Sequence, residues 1–151
     1  MRFEAMLKEK GMPFQRSVHP SAYTSQGLAA LEHVSGYHVA KPVIVKGRKE
    51  FAMCVVSACD RVDLSRIAEL LHEPQVRLAT ETEMANLFWD CELGAEPPVG
   101  SIWGLKTILD EPLHGDEYLV MQSGRHTDSV RLRREDYERL CDPVVATISL
   151  Q

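Results

Sequence analysis

Val39-Ala40-Lys41-Pro42-Val43-Ile44-Val45-Lys46 and Phe51-Ala52-Met53-Cys54-Val55-Val56-Ser57 flank the short polar link Gly47-Arg48-Lys49-Glu50. Two runs rich in β-branched residues, separated by so short a turn, read as a β-hairpin. Lys41 shares its parity with Val43 and Val45, while Ile44 and Lys46 take the other, so neither face is purely polar and Lys41 starts on a mixed surface. Pro42 has no N–H to give to a ladder, which places this point at a strand's beginning or on an edge. The strand end beside Lys41 is therefore expected to be open to solvent or ligand.

Before the hairpin, Phe3, Met6 and Leu7 have the i, i+3, i+4 spacing of a short amphipathic helix, which Gly11 ends and Pro13 keeps from resuming. Phe14 to Val18 reads as extended. In the polar stretch that follows, Thr24 or Ser25 caps a helix through Leu28, Ala29 and Leu31 toward His33, closed by Gly36. After the hairpin, Asp63 caps a helix whose Leu64, Ile67, Leu70 and Leu71 form an apolar stripe. Val76 to Leu78 reads as a short strand, and Thr80-Glu81-Thr82-Glu83 has the form of a capping box opening a helix through Met84, Leu87 and Phe88. Ile102 to Leu109, Tyr118 to Gln122, Ser129 to Arg133 and Val144 to Leu150 read as strands, and Glu135 to Leu140 as a short helix. Hairpins mixed among helices, without strict β-α-β alternation, predict an α+β domain around a mixed, largely antiparallel sheet.

The 151 residues fit one domain, expected to span 1–151, with room for a real core. No apolar run reaches the roughly 18 residues of a spanning helix, and Met1-Arg2-Phe3-Glu4 lacks a signal peptide's hydrophobic segment. A soluble, cytoplasmic protein with no membrane partner is expected. The net charge of −5 weighs against a general nucleic-acid binder, and against DNA as a partner, because sequence-independent affinity for phosphates comes from clustered Lys and Arg. Any nucleic-acid role must rest on a local patch.

Cys54, Cys59, Cys91 and Cys141 form no C-x-x-C pair and read as reduced, mostly buried thiols. The six histidines show no metal-ligand spacing with one another or with the cysteines, so no metal is expected. G-x-S-x-G, H-E-x-x-H, Walker and G-x-G-x-x-G motifs are all lacking.

Three features remain: Lys41, the polar segment Gly124-Arg125-His126-Thr127-Asp128, and the loop Glu92-Leu93-Gly94-Ala95-Glu96-Pro97-Pro98-Val99-Gly100. Two glycines bracketing a proline pair stop any helix or strand. Glycine lets main chain approach a ligand closely, and Pro97 and Pro98 stiffen the loop while removing two donors. Each feature alone has a plain reading, as a solvated lysine or a surface turn.

Their order carries more. His19-Pro20-Ser21-Ala22-Tyr23-Thr24, then Val39-Ala40-Lys41 entering a hairpin, then Phe88 to Gly100, then Gly124 to Asp128, resembles the YbaK-type aminoacyl-tRNA editing family, related to the editing insertion domain of bacterial prolyl-tRNA synthetase. The likeness spans roughly residues 15 to 142. It implies a mixed, barrel-like sheet flanked by helices and a trans-acting deacylase that hydrolyses the ester of a small amino acid, alanine first, mischarged on tRNA, with tRNA-Pro the expected acceptor. No metal or organic cofactor is implied. An aminoacyl-tRNA is the implied substrate, and a synthetase partner is compatible with it. Lys41 matches the family's lysine and is expected to hold the terminal phosphate or ribose as a point charge. Main-chain groups of Gly94, Ala95 and Glu96 are expected to orient water or substrate, and Pro97, Pro98 and Gly100 to take part in binding the substrate, the two prolines keeping the loop stiff. Tyr23, Thr24, His126, Thr127 and Asp128 are expected in the pocket wall. Pro42, Trp89 and Val99 depart from residues common in the family, so substrate choice does not transfer from any one subgroup. The alternative reading is a non-catalytic tRNA- or synthetase-binding module of the same fold.

Overall fold

A computed structural model describes residues 2–150; Met1 and Gln151, the ends of the expected 1–151 unit, lie outside the described residues. The hairpin is present as β2 (Ala40–Lys46) and β3 (Phe51–Ser57), paired antiparallel from Ala40↔Ser57 to Lys46↔Phe51. It forms the middle of a five-stranded sheet in the order β4-β2-β3-β5-β8, where β4 is Arg77–Leu78, β5 is Lys106–Asp110 and β8 is Val144–Ala146. The β3–β5 and β5–β8 pairs are parallel. A second, antiparallel sheet has the order β1-β7-β6, from Phe14–Val18, Asp128–Arg133 and Tyr118–Gln122. An isolated parallel bridge, Val39↔Val120, joins the two sheets along one margin. The fold is therefore α+β with a mixed, largely antiparallel strand set, split into two sheets that do not close into a barrel.

Strand parity explains the layering. Ile44, Met53, Val55 and Leu109 face Leu119, Met121, Val130 and Leu132 across the space between the sheets, and α1 (Arg2–Glu9) and α6 (Arg134–Cys141) close that core with Phe3, Leu7 and Tyr137. The opposite parity, Val45, Cys54, Val56 and Ile108, packs under α3 (Leu64–Leu70). Burial on both faces is why β3 reads as an unbroken apolar run. A smaller cluster of Ala22, Leu28, Ala29, Val39, Ala58 and Val120 sits under α2 (Ser25–Leu31). No described helix is long and apolar enough to cross a membrane.

The cap readings hold. Thr24 Oγ1 accepts from Gly27 N, Asp63 from Arg66 N, and Thr80 and Glu83 form a reciprocal capping box on α4 (Glu81–Leu87). Three boundaries differ. Gly36 does not close α2, because His33 already leaves it with φ 54°, and Gly36 begins a separate 3-10 turn. The expected strand from Ile102 is first a 3-10 turn over Gly100–Trp103, ended by Gly104 at φ 71°, so pairing starts only at Lys106. The last strand stops at Ala146, since Val144 to Ala146 alone have partners in β5, and Ser149 returns only as a bridge to Val62. A short helix, α5 (Glu111–His114), opens on Pro112 where the sequence offered no apolar period.

Candidate functional site

Beyond α4 the chain enters the glycine-proline loop, which is pinned to the turn after β6. Glu92 N donates to Gly124 O (2.8 Å), and Gly124 N donates to Ala95 O (2.8 Å). Both glycines sit at positive φ, 85° at Gly94 and 104° at Gly124, a region that a side chain makes costly. His126 fastens the same junction a third time. Its backbone N donates to Glu92 Oε1 (2.8 Å), its Nε2 lies 2.9 Å from Leu93 O, and its Nδ1 lies 3.1 Å from Ala22 O. Both ring nitrogens face carbonyl oxygens, so the two ring hydrogen bonds form together only when each nitrogen carries a proton. Tyr23 stacks at a tilt on the same ring, centroids 4.8 Å apart, and remains largely exposed.

The loop is not a surface turn. Glu92, Leu93 and Gly94 are exposed, but Ala95 to Gly100 are buried throughout. Its carbonyls are mostly engaged within the protein: Ala95 O by Gly124 N, Pro97 O by Val99 N (2.8 Å) and Pro98 O by the buried Tyr137 hydroxyl (2.5 Å). Gly100 packs so closely that its N donates to Thr107 Oγ1 (3.1 Å) and an added Cβ would lie 2.5 Å from that oxygen.

Glu96 is 3% exposed, and its Oε2 has no hydrogen-bond partner among the described residues. Burial pushes its carboxyl up to about 7, against the opposing pull of the Glu96 and Gly94 amides and of His126. Cys91, beside it, is pushed up to about 12 by burial and then by the Asp90 and Glu96 charges. Cys54 and Cys141 are raised similarly by burial, which is the environment of inert thiols. Cys59 departs from the expectation of burial by being exposed.

Lys41 stands at the start of β2, half-buried, its Nζ donating to Asp60 O at 2.7 Å. Desolvation lowers its pKa, with the nearby Arg61 adding in the same sense and Asp60 and Cys59 opposing. Among the described residues no hydrogen bond joins Lys41 to the loop. The link runs through strand register. Two residues beyond the Val39↔Val120 bridge lie Lys41 on β2 and Gln122 on β6, both on the side of the sheets that Ala22 covers. Gln122 Nε2 donates to Ala22 O (2.7 Å), the carbonyl that His126 Nδ1 also faces. Gln122, Ala22, Tyr23, His126 and the exposed Leu93-Gly94 corner are thus joined by direct contacts, and the Val39↔Val120 bridge brings the start of β2, which carries Lys41, alongside β6.

The other expected wall residues have mainly structural partners. Thr24 caps α2, Thr127 Oγ1 donates to Asp128 Oδ1 (3.0 Å), and the buried Asp128 pairs with Arg16 (3.3 Å). Lys41, Lys46, Arg48 and Lys49 do not gather into one basic patch. Lys46 lies at the far end of β2, bonded to Lys49 O (2.6 Å) and over the Phe51 ring, about 17 Å of strand from Lys41 at roughly 3.3 Å per residue. Sequence reasoning missed Gln122 and Ser123, buried polar residues ending an otherwise apolar strand; that break in the Tyr118-Leu119-Val120-Met121 run was the available signal.

No curated protein matches the chain in sequence. Its fold superposes on a crystal structure of hypothetical protein APE2540 with a TM-score of 0.90, at 23% identity over 99% of this chain and 100% of that one. A candidate trans-editing enzyme for prolyl tRNA synthetase gives 0.88 at 24% identity, covering 99% and 96%. A candidate signal transduction protein from Marinobacter aquaeolei VT8 gives 0.78 at 13% identity, covering all of this chain and 31% of that one. At these identities the likeness is one of fold. The family model described as the aminoacyl-tRNA editing domain matches residues 19–140, which takes in Lys41, the Gly94 to Gly100 loop and His126, and the chain belongs to that family.

Proposed function

We propose that the protein is a trans-acting deacylase that hydrolyses the ester joining a small amino acid, alanine first, to the terminal ribose of mischarged tRNA, with tRNA-Pro the expected acceptor. Family membership supports the class of substrate. The observation that carries the reading is the double pinning of the Gly94 corner to the Gly124 turn and His126, beside the Lys41 end of β2. Such a corner offers fixed main-chain dipoles and one ammonium, and no activated side-chain nucleophile.

That inventory suits an aminoacyl ester. Water adds to the ester carbonyl, the carbonyl oxygen becomes a transient oxyanion, and the ribose oxygen leaves with a proton to regenerate the tRNA 3′ end and free amino acid. A positioned water and the Lys41 ammonium supply the stabilisation, while the Ala95 amide, bonded to Glu92 O, and the Gly94 and Glu96 amides, turned to the Glu96 carboxyl, keep the corner rigid. Lys41 keeps two of its three N–H donors after bonding Asp60 O, and these hold the terminal phosphate or ribose. The closed packing of Ala95 to Gly100 makes the wall stiff, so side chains that are too large are rejected by clash, whereas one missing methylene changes binding by only about 1 to 3 kcal/mol.

A deacylation panel tests this. Alanyl-tRNA-Pro is expected to be hydrolysed and prolyl-tRNA-Pro spared. Failure to hydrolyse any mischarged tRNA overturns the reading, and tRNA binding without turnover would select the non-catalytic module instead.

A further inference from the structure

The outer face of the three-stranded sheet has two halves. At the β6 C-terminal end it is covered by α2: Val120 packs under it, Ser129 Oγ donates to Glu32 Oε1 (2.5 Å), and Gln122 reaches Ala22 O. At the other end the face is open. Arg131 and Arg133 project from β7 at alternate positions, both exposed, and the Arg131 guanidinium lies 4.8 Å from the ring centroid of Tyr118. A cleft of about 510 Å³ is bounded there by the Pro13 to Gln15 segment, Tyr118, Arg131, Arg133 and the start of α6.

The charges of this cleft are not balanced among themselves. Asp136 is paired with Arg139, and the neighbouring Arg134 with Glu138. Glu135 is exposed. Neither Arg131 nor Arg133 has a carboxylate partner among the described residues. In the cleft lining the three arginines Arg131, Arg133 and Arg139 stand against Glu135 and Asp136, an excess of one positive charge on a chain of net charge −5, with Glu117 and Asp116 on the adjoining surface. From Tyr118 to Gln122 is four residues of one strand, about 13 Å at roughly 3.3 Å per residue, and parity puts the cleft's Tyr118 on the same strand face as Gln122, whose amide reaches Ala22 O.

We propose that this cleft docks the phosphodiester backbone of the tRNA substrate, with Arg131 and Arg133 pairing with phosphates close to the 3′ end. The inference rests on the deacylase reading and deepens it. Guanidinium is the side chain suited to phosphate, because its planar fork donates two parallel hydrogen bonds and stays charged. The cleft supplies affinity for the nucleic acid, and the Lys41 and Gly94 end supplies the chemistry.

The test compares wild type with Arg131→Glu/Arg133→Glu and with the milder Arg131→Gln/Arg133→Gln, each checked for an unchanged thermal melt. An Arg48→Glu/Lys49→Glu control makes the same charge change at the hairpin turn. Substrates are alanyl-tRNA-Pro and 3′-alanyl-adenosine, which lacks the phosphates. The expected result for the Glu pair is a rise in KM for the tRNA of about 10-fold or more at low salt, kcat within about twofold, and a log–log salt slope flatter by about 2. Hydrolysis of 3′-alanyl-adenosine should stay within about twofold, since no phosphate is lost from that contact. An unchanged KM, an equal KM rise in the Arg48/Lys49 control, or an equal loss on both substrates overturns the proposal. Should wild type hydrolyse no charged tRNA, the deacylase reading fails separately. Salt-dependent titration with uncharged tRNA-Pro then decides the docking surface, a flatter slope in the Glu pair supporting it and an unchanged slope overturning it.

Discussion

Replacing Glu96 by glutamine keeps the shape of a buried side chain and removes its charge. The carboxyl is 3% exposed and raised by burial from 4.5 to about 7. Between those values the folded protein holds a proton that the unfolded chain has released, so stability falls as pH rises through the window. The cost is absent below the unfolded value and complete above the folded one. At about 1.4 kcal/mol per pH unit the window corresponds to about 3 kcal/mol. Urea unfolding of wild type and Glu96→Gln, from about pH 4.5 to about pH 8, reads this directly, because the variant has no such group to titrate. The stability difference, variant minus wild type, should grow by about 3 kcal/mol across the window, whatever its starting offset. Parallel curves would refute the reasoning and mean that Glu96 keeps its charge without penalty, through solvent or an ion partner. The expected loss for wild type also makes the loop beside Gly94 more easily opened at alkaline than at acid pH.

Other substitutions separate packing from chemistry. Gly94→Val puts a β-branched residue at φ 85°, a cost of about 1 to 2 kcal/mol, and should lower deacylation about 10-fold or more, whereas Glu96→Ala is tolerated far better; the opposite ranking would make Glu96 the base. Gly100→Ala should destabilise by about 1 to 3 kcal/mol in chemical denaturation, because the new Cβ meets Thr107 Oγ1 and the Leu105 carbonyl. Tyr137→Phe strands the Pro98 carbonyl and should lower stability by about 1 to 2 kcal/mol, seen as a reduced Tm.

The parts of the fold that were legible are those written in local chemistry. The hairpin follows from two β-branched runs and a polar link, and the Thr24, Asp63 and Thr80 caps from side-chain oxygens placed one residue before a helix. The Gly94 loop was legible as irregular backbone, but its burial was not, because glutamate is ordinarily a surface residue and only tertiary packing puts Glu96 inside. Likewise Lys41 announces itself as a cation at a strand start, yet its relation to the loop depends on the Val39↔Val120 bridge and on Gln122 reaching Ala22, contacts made across 81 and 100 residues of chain. The arginine cleft was hidden by composition: four arginines between 131 and 139 share the segment with three acids, and only the pairing in space shows which cations lack a carboxylate partner among the described residues.

The most direct test is single-turnover deacylation of alanyl-tRNA-Pro by wild type and Lys41→Ala. Loss of an ammonium that positions the terminal phosphate or ribose should lower the rate at least about 100-fold while leaving the thermal melt near that of wild type, since misplacing a substrate by even a small distance forfeits that much. Hydrolysis at an undiminished rate by Lys41→Ala would contradict the assignment of the site to the Lys41 end of β2.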